Sequence, residues 1–209
     1  SGERIGDGRG NAIRTLALAL HALAQEGDVE LVSLTGGTAR NAIPPTAEAI
    51  VRTAMDERSI ARLLAAEEKR FHAIYGEADP AMKFSLHPAH AAGRVIGAQE
   101  QRALIDLLVL LRTGVHAMTH TQTGGVETSA NLGVVRMDEN EVHVAFFPRS
   151  SVNERLDEIV CETETLAALT GFSLVVGTAS PAWRENPKSK LRTIMAEVYA
   201  AQNGGTPMK

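Results

Sequence analysis

Few residues in this chain are spaced for chemistry. His116 and His120, in HAMTH, stand four apart, the spacing that on a helix would aim both imidazoles at one metal ion. The segment follows Gly114 and is rich in threonine, which disfavours a helix there, and no glutamate follows the first histidine. His87 and His90, in HPAH, sit beside Pro88 in a loop composition. The glycines of GDGRGN, Gly6 to Asn11, precede a helix as phosphate loops do. Their spacing fits neither the dinucleotide fingerprint nor the nucleotide P-loop, and no strand precedes them in this chain, so a flexible helix lead-in is the better reading. No G-x-S-x-G elbow is present, and Cys161, mid-helix near an apolar face, reads as a buried, inert thiol.

Arg149 and Asn41 stand apart from these. Arg149 closes AFFPR and immediately precedes a helix start at SSVNE, so its guanidinium projects from the end of a strand, where it can grip a carboxylate with two parallel hydrogen bonds. Taken singly it reads better as a solvated arginine. Asn41 lies in TGGTARNAIPPTAEAIV, Thr35 to Val51, and a lone turn asparagine is usually turn chemistry. Yet a bare connection needs only Gly or Asn-Gly. Paired glycines, Arg40, Asn41 and then Pro44 and Pro45 make a loop built to present something.

The elements that must position these residues follow from periodicity. GNAIRTLALALHALAQEG places Ile13, Leu16, Ala17, Leu20, Leu23 and Ala24 at helical spacing, with Gly27 at the C′ position. DVELVSL and TAEAIVRTA read as strands joined by the presenting loop, the first partly buried on both faces. Helical period returns from Asp56 to about Tyr75, with Ile60, Leu63, Leu64, Phe71 and Ile74 on one side. Residues 76–97 read as loop, and AQEQRALIDLLVLLRTG as an apolar helix ending at Gly114. GVETSANLGVVRM and EVHVAFFPR form a long hairpin about the turn Asp138 to Asn140. Ser151 and Glu154 have capping-box spacing ahead of a helix whose apolar face is Val152, Leu156, Ile159, Leu166 and Leu169. FSLVVGT reads as a short strand, and the tail as a Pro-bounded loop, an amphipathic helix and a Gly-rich end. The order predicts an α/β (α+β) two-layer sandwich, an antiparallel sheet with helices on one face and a helical insertion over about 55–114.

The bulk properties agree. At 209 residues, 44% apolar and 22% charged, the chain supports an ordinary soluble core, built mostly from aliphatic residues since aromatics are only 4%. A net charge of −4 argues against nucleic acid or an anionic membrane as partner. A single cysteine excludes an intrachain disulfide, and no long apolar run or signal pattern occurs, so the expected location is cytoplasmic.

Five segments, in order, carry a family resemblance: GRGNAI, GGTARNAIP, GGVETSANLGVV, PRSSV and PAWRENPKSKL. Together they resemble bacterial aminoacyl-histidine dipeptidases, di-zinc metallopeptidases also called peptidase D or cytosolic non-specific dipeptidases, hydrolases with β-alanyl-histidine (carnosine) as a typical substrate. The resemblance covers most of the chain and is weakest over 56–112. It implies a lid (dimerisation) domain over 1–180 and a junction helix over 181–209 leading back to a catalytic domain absent from this sequence. The metal-binding His, Asp and Glu residues and the catalytic glutamate of the family lie in that other domain, and no stretch here resembles them. The resemblance therefore implies two zinc ions in the parent protein, no metal and no catalytic residue in this segment, and a homodimer.

The ends fit the same pattern. The chain opens with SG, as if just past the histidine of the family's G-G-H-S-G junction, and NGGTPMK stops where the family re-enters the catalytic domain. An upstream first strand of the lid sheet is expected. By resemblance Asn41 reaches the cleft and hydrogen-bonds the substrate, and Arg149 binds the substrate's C-terminal carboxylate. Gly36 and Gly37 then allow close backbone approach, and the prolines stiffen the presentation. Pro148 departs from the family's aliphatic residue at that place and predicts an edge position or a bulge. The rival reading from the residues alone is a free-standing α/β module that senses a small carboxylate through Arg149; a third is a small zinc enzyme using His116 and His120.

Overall fold

A computed structural model describes residues 2–89, 93–119, 125–138, 140–178, 182, 186 and 188–205. After a short 3-10 helix, Gly2–Asp7, come α1 (Ala12–Glu26), β1 (Val29–Gly36), β2 (Ala47–Thr53), α2 (Glu57–Tyr75), α3 (Ala98–Leu110), β3 (Gly114–Met118), β4 (Val126–Met137), β5 (Val142–Ser150), α4 (Asn153–Thr170) and α5 (Lys190–Gln202). Every strand pairing is antiparallel, in the order β2-β1-β4-β3, with β5 on the other edge of β4. The sheet is open and flanked by helices, as the pattern of elements predicts.

Helices form where the apolar spacing is helical, and at α1, α2 and α5 a side-chain acceptor also caps the first turn. Asn11 Oδ1 accepts the Arg14 N–H at 3.1 Å, and Asp56 Oδ1 accepts the Ser59 N–H at 3.0 Å. These bonds hold the Asp56 carboxyl below its ordinary range, the Ser59 hydroxyl first and its backbone N–H second. Helices α1 and α3 then bury Ile13, Ala17, Leu20, Leu104 and Leu108 against Leu31 and Leu34 of β1 and Leu132 and Val135 of β4.

Those strand residues are three apart, a spacing that in a regular strand would send them to opposite faces. Two β-bulges reconcile them. The register of β1 slips between Leu31 and Ser33, and that of β4 between Leu132 and Val134. Each slip inserts one residue, Val32 or Gly133, so both members of each pair enter the same core. Simple alternation could not have located either bulge.

β1 meets β4 only at Thr35↔Arg136 and Gly36↔Val135, which leaves the Val29–Leu31 part of that edge without a strand. A side chain takes its place. Gln101 on α3 accepts the Leu31 N–H through Oε1 at 2.6 Å and donates from Nε2 to the Val29 carbonyl at 2.7 Å, while the Ile96 N–H reaches the Leu31 carbonyl at 3.2 Å. Gln101 is thus buried because its amide reproduces the ladder of a missing strand.

Several expectations are corrected. The apolar helix stops at Leu110, and Gly114, with φ 102°, opens β3 instead of ending α3. Gly27 caps α1 in extended backbone, not as a left-handed C′ residue. α4 has Val152 at its cap with no side-chain cap bond, so Ser151 and Glu154 do not form the capping box; Ser150 Oγ instead accepts the Val152 N–H at 3.0 Å. FSLVVGT joins no strand, and Val175 is 91% exposed. Leu169 and Ile74, assigned to buried faces, are exposed, and so is Cys161. The core lies against α1 and α3, and the outer turns of α2 and α4 extend past it.

Replacing Gln101 by leucine should strand the Leu31 N–H and Val29 carbonyl in the core. At roughly 1–3 kcal/mol for each buried unsatisfied group, urea denaturation should show a loss of about 3 kcal/mol. A loss under about 1 kcal/mol would mean that water or a shifted strand replaces the amide.

Candidate functional site

The presenting loop, residues 37–46, lies over a gap in the sheet. β1 and β3 share one edge of β4 but reach only Val135–Arg136 and Val126–Ala130, so the stretch 131–134 has no strand beside it there. The loop and Asn11 fill that gap. Asn131, buried on β4, donates both hydrogens of its amide, to the Arg40 carbonyl at 2.9 Å and the Ala42 carbonyl at 2.8 Å. Asn11 Nδ2 donates to the Leu132 carbonyl at 2.8 Å and comes within 3.4 Å of Asn131 Oδ1. The same Asn11 caps α1, so helix start, strand and loop share one polar network.

Sterics seal the arrangement. Gly37 adopts φ 69°, and a Cβ there would overlap the Gly133 carbonyl; a Cβ on Gly133 would run into the backbone of Arg40. Two glycines therefore allow the chains to cross at contact distance. Pro44 is fully buried, and its carbonyl accepts the Ala12 N–H at 3.2 Å. Asn41 sits between the two residues whose carbonyls Asn131 holds, with its own side chain exposed.

Arg149 comes from the other side of β4. The register runs evenly from Thr128↔Ser150 through Ser129↔Arg149 and Asn131↔Phe147 to Leu132↔Phe146. Pro148 stands within this even run on a strand that pairs with β4 alone, so the edge position predicted for it is present and the bulge falls on β4 instead. Alternation places Phe147 and Arg149 on the face that carries Asn131 and Ser129. The Arg40 guanidinium carbon lies 5.1 Å from the centre of the Phe147 ring, a cation–π distance. Asn41 thus follows the residue stacked on Phe147, and Arg149 lies two residues beyond Phe147 on the same face. Among the described residues neither Asn41 nor Arg149 has a side-chain partner.

The hairpin that carries Arg149 is pinned at both ends. Asp138 Oδ1 accepts the N–H groups of Asn140 and Glu141 at 2.8 and 3.0 Å, which hold its carboxyl below the ordinary range. At the far end the Thr128 and Ser150 hydroxyls pair at 2.8 Å. Arg149 is therefore a strand-end group on a tied frame.

The other candidates separate from this face. His116 lies on β3, not on a helix, with Nε2 3.0 Å from the Arg112 carbonyl; His120 lies outside the described residues. His87 is exposed in a loop, and His90 also lies outside the described residues. No group of three His, Cys, Asp or Glu side chains among the described residues could hold a metal ion. The Gly6–Asn11 lead-in faces the chain's own carboxylate: the Gly10 N–H donates to Asp79 Oδ2 at 2.8 Å and Arg9 reaches Oδ1 at 3.4 Å. A groove of about 1320 Å³ runs along β2 between α1 and residues 78–89 and includes neither Asn41 nor Arg149. Its lining mixes apolar side chains with Arg9, Glu48, Asp79, Lys83 and His87.

Sequence reasoning missed Asn131, Asn11 and Gly133 as site-building residues. The available signal was SANLGVV, in which an asparagine and a glycine interrupt an otherwise small and apolar strand.

Comparisons with known proteins agree with the fold. The family model described as peptidase dimerisation domain matches residues 3–78. The cytosol non-specific dipeptidase of Escherichia coli (strain K12) is 29% identical over 208 residues, covering 99% of this chain and 43% of that protein. The crystal structure of aminoacylhistidine dipeptidase from Vibrio alginolyticus superposes with a TM-score of 0.84 at 29% identity, over 98% of this chain and 42% of that one. The chain thus spans less than half the length of each.

Gly133→Ala should push the loop off β4, since the added carbon meets backbone that cannot step aside. We expect about 2 kcal/mol of destabilisation in chemical denaturation together with increased amide exchange over 38–46. Wild-type exchange in that loop would contradict the crossing geometry.

Proposed function

We propose that this chain, a peptidase dimerisation-domain segment homologous to bacterial cytosol and aminoacylhistidine dipeptidases, is the substrate-holding lid of a zinc-dependent aminoacyl-histidine dipeptidase. Arg149 takes the C-terminal carboxylate of an Xaa-His dipeptide such as β-alanyl-histidine in bidentate fashion, and Asn41 hydrogen-bonds the bound substrate. The observation that carries this reading is the emergence of both residues on one face, linked through Arg40 and Phe147. A dipeptidase needs such a clamp, because a fixed carboxylate seat measures substrate length from the scissile bond.

In this reading residues 1–180 form the lid and 181–209 lead back to a catalytic domain. Two zinc ions held there would activate water and polarise the peptide carbonyl. The lid's residues bind, orient and enclose. An apolar surface supports the division: Leu191, Ile194, Met195, Val198 and Tyr199 of α5 are 40–66% exposed, as is Val176 at 55%, and α5 buries none of its own residues. Uncovered stripes of this size mark a protein–protein contact. A homodimer fits the dimerisation-domain likeness, with the open sheet edges at β2 and β5 as its candidate seams. No described helix is long and apolar enough to cross a membrane, and a cytoplasmic site of action accords with the name of the E. coli relative, a cytosol dipeptidase.

Two experiments test the reading. The 209-residue chain, given zinc and β-alanyl-histidine, should show neither turnover nor stoichiometric metal. Turnover with bound zinc would overturn the lid assignment and direct attention to His116. In the longer protein, Arg149→Ala should lower kcat/KM for β-alanyl-histidine by about 10- to 100-fold, the size of one charge-assisted contact, and Arg149→Lys should recover only part. Unchanged kinetics in Arg149→Ala would remove the carboxylate role.

A further inference from the structure

Asn131 lies on neither candidate contact, yet its geometry touches both. Its amide nitrogen holds the carbonyls on either side of Asn41, at 2.9 and 2.8 Å. Its cross-strand partner is Phe147, whose ring carries the Arg40 guanidinium at 5.1 Å and whose strand continues to Arg149. Arg40 therefore belongs to both connections: its carbonyl is bound by Asn131 and its side chain by the residue opposite Asn131. The ring of contacts closes on itself, and it is braced from behind by Asn11, which joins it to the start of α1.

We infer that Asn131 is the positioning residue that fixes the spacing between Asn41 and Arg149, with the Arg40–Phe147 stack as the cross-brace. The functional meaning of that spacing rests on the lid reading; the mechanical coupling does not. The physical basis is burial. An amide inside the sheet that donates both its hydrogens cannot rotate without leaving two carbonyls unpaired, so the loop tip has one seat. A guanidinium stacked on an aromatic ring adds a directional contact that a loop held by its backbone alone would lack. The two candidate substrate contacts come from distant parts of the chain, and this ring of contacts makes them one body.

The substitution Asn131→Asp tests this. It keeps the shape, removes both donors and sets a carboxylate against the two carbonyls. In the 209-residue chain, amide exchange should accelerate at least about tenfold over 38–46 and also over 145–150, with α1 and α3 unchanged. The Arg40 side-chain N–H signal, placed by the Phe147 ring current, should move to its random-coil position in NMR, and the thermal midpoint should fall by about 10 °C. Phe147→Leu should abolish that displacement with Asn131 intact and loosen 38–46 by a smaller factor. If Asn131→Asp unfolds the whole chain, Phe147→Leu decides: faster exchange at 38–46 supports the brace, and wild-type exchange there overturns it. Loosening of 38–46 with no change at 145–150 in Asn131→Asp would also overturn the coupling. Adding β-alanyl-histidine to the wild-type chain separates the two claims, because an unmoved Arg149 side-chain signal counts against the lid's carboxylate seat and leaves the exchange result standing.

Discussion

The structure turns on one buried amide. Asn131 sits in the middle of β4, and its two donated hydrogen bonds turn a gap in the sheet edge into a seat for the loop that bears Asn41. A buried asparagine without partners would cost several kcal/mol; fully paired, it specifies a single arrangement. Much else follows from satisfying it. Asn11 must stand at the start of α1 to complete the network, Gly37 and Gly133 must lack side chains so that loop and strand can cross, and Pro44 must be buried to bring the loop back to β2.

A second constraint shares the same logic. Strands in this sheet do not run long enough beside one another to pair every backbone group, so side chains complete the ladder. Gln101 does so for β1, and Asn11 does so beside β4. Each is an amide, the one neutral side-chain type that offers a donor and an acceptor in the geometry of a peptide group. The bulges at Val32 and Gly133 belong to this pattern, since each lets the strand return to the core after serving an irregular edge. The β3–β4 pairing carries two more register shifts, between Val115 and Ala117 and between Ala117 and Met118.

Several of the exposed apolar groups gather in the last stretch of the described chain, residues 174–199. Val175, Leu191 and Ile194 occupy extended chain and helix with no core behind them, which is why helical period around 190–202 was a sound guide to α5 but no guide to burial. The same reasoning explains Leu169, Ile74 and Cys161. Leu169 and Ile74 fall in the last turns of α4 and α2, and Cys161, exposed between the buried Ile159 and Ala167, lies beside the apolar stripe of α4 and not on it. FSLVVGT has strand composition and no strand beside it, and a strand exists only when its backbone groups find partners.

By itself the sequence determined the element types of α1 through α4 and the antiparallel hairpins, because apolar period and turn residues act over a few positions, and it left Pro148 at either an edge or a bulge. It also carried the family likeness, and with it the choice of Asn41 and Arg149. Only the tertiary structure decided that these two share a face, that Asn131 and Gly133 underlie them, and that His116 lies on a strand. Those outcomes depend on register and on contacts between residues about 90 apart, such as Asn131 with Arg40. A one-residue bulge reverses which side chains meet, and local periodicity does not record it.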